Sequence, residues 1–326
     1  MLKDPIVINK LQLRNRLVMP PMATGKADGG SPTEELERYY GLRARGTGLI
    51  ILEHEYVSPE GMAHSTQLSM AEDRVIPAYR RLTDAIHAEG CAVIAQISHA
   101  GAMAKDSGLP AIGPSAVSPF ERVAAPQEMS VQEIRRVTDC FARSAQRAMQ
   151  AGFDGVEIHS AHGYLLNQFY SPLMNRRTDA YAGDSLEGRT RLHAQILHAV
   201  REAVGEDCPL AIRFGACDYR EGGSRIEEIT AACRIFAEAG ADLIDISGGF
   251  CGFTLPGRNE PGWFAELSRP AREAGVPVLL TGGVTTARQA EDLLQAGAAD
   301  LIGVGRAMLN NPDWALQELG EGQRTE

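Results

Sequence analysis

The sequence predicts an α/β chain that closes into a single (β/α)8 TIM barrel over residues 1–326. Two regularities carry that prediction. Seven helical-looking stretches each end in a glycine, at Gly46, Gly90, Gly152, Gly205, Gly240, Gly275 and Gly297, and an apolar run of strand length follows each. Glycine suits those positions because the residue just past a helix commonly turns left-handed, which costs other residues energy. Nearly continuous apolar strands alternating with amphipathic helices mark a parallel sheet buried on both faces. Eight such units without a composition break favour closure over the alternative, an open doubly wound sheet.

In chain order, IVINKLQLRN (6–15) reads as a short hairpin covering the barrel floor, and RLVMPPM (16–22) as the first strand. The other strands are LIILEH (49–54), AVIAQI (92–97), GVEIHS (155–160), LAIRF (210–214), LIDIS (243–247), VPVLLTG (276–282) and LIGVG (301–305). Three helix starts carry capping spacing: Ser31-Pro32-Thr33-Glu34, Ser130-Val131-Gln132-Glu133 and Ser224-Arg225-Ile226-Glu227. From Ser130 to Gly152 the apolar positions Val131, Ile134, Val137, Phe141, Ala145 and Ala148 keep a helical period. The connections 98–129 and 159–184 are the elaborated loops.

Composition narrows the function. Hydrophobic residues make up 44% and charged residues 23%, enough for a sizeable core. The 32 basic against 42 acidic side chains give a formal charge of -10, which argues against a nucleic-acid partner because phosphate binding needs a basic footprint. No run of 18 apolar residues and no signal-peptide pattern occurs, so no membrane partner is expected. The six cysteines show no metal spacing and read as reduced thiols of a cytoplasmic protein.

Barrel active sites lie at the C-terminal ends of the strands. Those ends supply Met22-Ala23-Thr24, Glu53-His54, Gln96 to His99, His159 to His162, Arg213, Ser247-Gly248-Gly249, Gly282-Gly283 and Gly305-Arg306. So many polar groups where a barrel opens point to a ligand. Thr281-Gly282-Gly283-Val284 before the seventh helix and Gly303-Val304-Gly305-Arg306 after the eighth strand suit a phosphate. Glycines admit an anion to backbone N–H groups, a helix N-terminus favours it, and Arg306 adds charge. His159 and His162, spaced HxxH, read either as metal ligands or as two N–H donors on one substrate oxygen, with Tyr164 nearby as an acid.

The chain resembles the Old Yellow Enzyme family of FMN-dependent oxidoreductases over essentially its whole length. The stretches that carry the resemblance are NRLVMPPM (15–22), QISHAG (96–101), AGFDGVEIHSAHGYLLNQFYSPLMNRRTDAYAG (151–183), GVGR (303–306) and NPDW (311–314). It looks similar to the bacterial ene-reductase branch and the barrel domain of 2,4-dienoyl-CoA reductases. The resemblance implies FMN across the barrel mouth, with Gly283, Gly305 and Arg306 on its phosphate and Pro21, Met22 and Ala23 along the ring system. It further implies Gln96 on the pyrimidine edge and Arg213 where charge gathers in the reduced flavin. NADPH or NADH would be the reductant and an α,β-unsaturated carbonyl compound the substrate, its oxygen held by His159 and His162 and its α-carbon protonated by Tyr164. An assembly of identical copies is also implied over a monomer.

Three departures from the family pattern stand out. Ala23 replaces the Cys or Thr that many relatives place near the flavin, and Gly25 replaces a substrate-side tyrosine. The chain also ends at Glu326 without the cysteine cluster and second flavin domain of the long dienoyl-CoA reductases, so electrons are expected directly from a nicotinamide. Two alternatives remain: a metal-dependent barrel hydrolase using His99, His159 and His162, and a flavin-binding protein without ene-reductase activity.

Overall fold

The computed structural model describes residues 1–121 and 123–320. Eight parallel strands form a closed ring: β1 Leu17–Met19, β2 Leu49–Ile51, β3 Ala92–Ser98, β4 Gly155–Ser160, β5 Leu210–Gly215, β6 Leu243–Ser247, β7 Val278–Thr281 and β8 Leu301–Gly303. Each pairs with the next, and β8 pairs back onto β1 with Ile302 opposite Leu17. The ring is the predicted barrel, and the open sheet is excluded. Several strands are shorter than their apolar runs. β1 stops at Met19 because Pro20 and Pro21 have no N–H to offer a ladder.

The helices Glu34–Ala44, Ile76–His87, Val131–Gln150, Leu186–Val204, Ile229–Glu238, Ala265–Ala271 and Ala287–Gln295 wrap the ring. All seven terminal glycines have positive φ, between 65° and 105°. Ser130 caps its helix in a reciprocal box with Glu133, as expected. The other two starts are displaced. Ser31 is engaged in a backbone bridge with Asp28, so Thr33 caps the first helix instead, accepting from the Leu36 N–H. Ser224 is tied to Asp218, and the turn begins one residue later, where Glu228 accepts from the Arg225 N–H.

The segment 6–15 is the expected hairpin, Ile6–Ile8 antiparallel to Leu11–Leu13. Ile8 and Leu13 plug the barrel floor against Val18, Leu49, Ile51, Ile94, Ala211, Leu243, Leu279 and Leu301. That apolar plug seals one end and leaves polar side chains to the upper half. The two long connections carry short pieces of their own, including a ladder between Ile112–Gly113 and Gln127–Glu128 and the helix Leu165–Tyr170. Among the described residues no helix is long and apolar enough to cross a membrane.

Candidate active site

Above the plug, strand alternation turns Gln96, Glu157, Arg213 and Asp245 into the barrel, all nearly fully buried. Gln96 Nε2 donates to Glu157 Oε1 at 2.7 Å, and Arg213 Nη1 donates to Asp245 Oδ2 at 2.7 Å. Two carboxyls share one cation in a place with little water. Burial, reinforced by the charge of Asp245, pushes Glu157 well above the usual carboxylate range, so it is held as a neutral acid. Burial also lifts Asp245 to about 6 against the pull of Arg213. Neutral Glu157 beside an Asp245–Arg213 ion pair is therefore the state at neutral pH.

A carboxyl whose pKa rises on folding stabilises the fold below its unfolded value, and that stability is lost as pH climbs through the folded value. Glu157→Gln removes one such titration and keeps a neutral hydrogen-bonding group. Thermal unfolding of the FMN-free variant should fall less steeply than wild type from about pH 4 to about pH 7. Parallel melting curves across that range would contradict the assignment.

At the mouth, His159 is the penultimate residue of β4, opposite Arg213 of β5. The chain then makes a tight left-handed turn, His162 at φ 58° and Gly163 at φ 76°. Gly163 is required there: a Cβ would sit 3.2 Å from the Phe250 ring as well as being strained. A histidine held left-handed costs energy, a cost that tends to appear at functional sites. The turn swings Tyr164 back beside His159, ring centroids 5.0 Å apart, with His162 5.2 Å from His159 on the other side. The sequence-predicted trio is thus brought together.

Burial holds His159 and His162 well below the usual imidazole range; the Arg213 charge and His54 act on both in the same direction, as does His162 on His159. Both are neutral at pH 7, with one N–H each. His162 Nε2 shares a 2.7 Å hydrogen bond with Ser247 Oγ, which leaves Nδ1 for a ligand. His159 Nδ1 is buried without a partner among the described residues, which leaves Nε2 toward the mouth. Burial pushes Tyr164 up to about 12, so its hydroxyl is protonated. Sequence reasoning assigned no role to His54, whose Nε2 lies 3.1 Å from Tyr164 Oη, or to Ser247, although both stand at strand ends.

His99 does not join the cluster. Its Nδ1 accepts from the Gly101 N–H, and Nε2 lies 3.7 Å from Glu60. Among the described residues no three His, Cys, Asp or Glu side chains are spaced to hold a metal ion.

Pro21, Met22 and Ala23 line one rim, anchored by the next residue: Thr24 donates its N–H and Oγ1–H to the two oxygens of Glu53, which also bonds Tyr40. Two strands away around the ring, after β7, Gly283 packs against Trp263, where a Cβ would come within 2.8 Å of the ring. Arg306 is exposed, makes no ion pair among the described residues, and lies 5.4 Å over the Trp263 ring. The backbone N–H groups of Gly283 and Gly305 have no protein acceptor among the described residues. One part of the sequence reading is corrected here. The seventh helix does not offer its N-terminus to an anion, because Thr286 and Gln289 form a capping box and Glu318 accepts from the Ala287 N–H. The remaining donors, Gly283, Gly305 and Arg306, fit a phosphate. The buried, unpartnered Arg213 Nε and the open Oε1 of Gln96 fit the polar edge of a flavin.

The family model for the NADH:flavin oxidoreductase / NADH oxidase family matches residues 1–325. An NADH oxidase of Thermoanaerobacter brockii is 38% identical over 330 residues, covering 98% of this chain but 50% of that protein. The chain thus spans about half the length of that relative. An NADPH dehydrogenase of Geobacillus thermodenitrificans is 38% identical over 328 residues, covering 97% of this chain and 94% of the relative. The Old Yellow Enzyme homologue from Zymomonas mobilis superposes with a TM-score of 0.85 at 28% identity, over 100% of this chain and 94% of its own. Sequence match, closed barrel and polar mouth converge: the chain belongs to the NADH:flavin oxidoreductase / NADH oxidase family, whose cofactor is FMN.

Proposed function

We propose that the protein is an FMN-dependent ene-reductase that uses NADPH or NADH to reduce the activated C=C bond of α,β-unsaturated carbonyl compounds. The observation that carries this reading is a phenol and two imidazoles side by side at the mouth of a flavin-family barrel. FMN, when bound, would supply the hydride chemistry at the β-carbon, with the nicotinamide as its source of electrons. His159 through Nε2 and His162 through Nδ1 hold the substrate oxygen and share the negative charge that develops there. Their neutrality matters, because two imidazolium ions at this spacing would repel. Tyr164 Oη gives its proton to the α-carbon. Ser247 orients His162 by fixing its other nitrogen.

Gly283, Gly305 and Arg306 hold the FMN phosphate in this reading. Arg306→Ala should weaken FMN binding by about 10- to 100-fold, the scale of a charge-assisted hydrogen bond. The fold should change little, since Arg306 is exposed and unpaired among the described residues. Titration of the stripped protein with FMN, beside its melting temperature, checks both. Unchanged affinity would remove Arg306 from the site.

Ala23, exposed on the rim, presents a methyl group that cannot hydrogen-bond, and Gly25 has only Thr66 near the place of its missing side chain. Together they favour a roomy substrate side. The test of the whole reading is oxygen-free consumption of NADPH or NADH with enones, enals, nitroalkenes and dienoyl thioesters. A reducible flavoprotein that turns over none of them would remove the ene-reductase assignment and leave the family unaffected.

A further inference from the structure

Tyr164 is not alone with the substrate. His54, three residues beyond the end of β2, brings Nε2 to 3.1 Å from Tyr164 Oη, with ring centroids 5.5 Å apart. The groups facing this pair are His159, 5.0 Å from Tyr164 and 6.3 Å from His54, and His64, 5.8 Å from His54. Glu53 precedes His54, but its carboxyl turns away to Thr24 and Tyr40. Among the described residues, the aromatic rings that pack against the phenol are therefore both imidazoles.

We propose that His54 is a positioning residue whose Nε2–H donates to Tyr164 Oη, leaving the phenol proton free for the substrate and bracing the phenolate left behind. The inference rests on the reaction proposed above and adds a residue to it. A phenol has one proton. Were it donated to His54, it would point away from the carbon that needs it. When Tyr164 reacts, its O–H bond breaks, a C–H bond forms at the substrate α-carbon, and the electron pair stays on Oη. The Nε2–H bond of His54 stays intact and turns toward that charge.

Two observations support this direction. Among the described residues His54 Nδ1 has no hydrogen-bond partner. The tautomer protonated at Nε2 gives its one N–H to Tyr164 Oη, the one protein hydrogen-bond partner of either ring nitrogen among the described residues. Burial and the neighbouring His64 also hold His54 down to about 4, so the ring is neutral and has a single proton to place. Burial alone makes the Tyr164 phenol a weaker acid, pushed up to about 12, and a donor at Oη opposes that effect.

The direct test is nitrogen-15 NMR of histidine-labelled holoenzyme at neutral pH, with the His54 signals identified by their loss in His54→Gln. The proposal requires a protonated Nε2 and a bare Nδ1; the reverse overturns it. Single-turnover kinetics give the second arm. His54→Phe should slow reaction with an enone by about tenfold or more relative to its own rate of flavin reduction. His54→Gln, whose amide can still donate, should recover most of that loss. Equal losses in the two variants would mean His54 only fills space and would overturn the proposal. If Tyr164→Phe leaves the enone rate unchanged, the ene-reductase mechanism fails instead, while the NMR result still decides which way the hydrogen bond runs.

Discussion

Tyr164→Phe should keep FMN and its reduction by nicotinamide yet slow the reaction with a simple enone by about 10²–10⁴-fold, the usual worth of a positioned general acid. The hydroxyl is protonated at neutral pH because burial pushes it up to about 12. It sits one glycine beyond His162, in the turn that places it 5.0 Å from His159. Removing it should leave His159 and His162 in place while taking away the proton and the hydrogen bond to His54. Nitroalkenes should suffer less, because a nitronate is stable enough to leave before its carbon is protonated. Stopped-flow traces with both substrate classes check this. Equal enone rates for variant and wild type would take Tyr164 out of the mechanism.

Replacing both His159 and His162 by alanine should cost about 10²-fold or more in enone turnover, the scale of losing oriented donors to a developing oxyanion. Flavin reduction should persist, since neither imidazole belongs to the phosphate or ring-edge contacts. His159 is buried, so the melting temperature of the variant must be compared to separate lost donors from a loosened mouth. Chelators should leave the wild type unaffected. Activity lost to a chelator and restored by zinc would instead support a metal site.

Much of this molecule is legible in its sequence, because the rules behind it are local. Gly46 and its six counterparts end helices for a backbone reason that shows in any single segment, and all seven have positive φ. The hairpin over the floor reads from Ile8 and Leu13, and the mouth reads from HSAHGY. What the sequence hides depends on partners distant in the chain. Ser31 looks like a cap until Asp28 claims its backbone. Glu157 and Asp245 sit inside apolar strands, and only the strand register turns both inward onto Arg213 and Gln96. The apparent anion site at the seventh helix closes because Glu318 reaches back to it. His54 carries no motif at all. Its place beside Tyr164 is visible only once a loop from β4 lays that residue against it, 110 residues along the chain.

The most direct measurement is a single turnover without oxygen. Holoenzyme reduced by one equivalent of NADPH or NADH is mixed with 2-cyclohexenone while flavin absorbance and products are followed. The account predicts that oxidised flavin returns with one saturated ketone formed per flavin. Flavin that stays reduced through this enone and through the enals, nitroalkenes and dienoyl thioesters would contradict it.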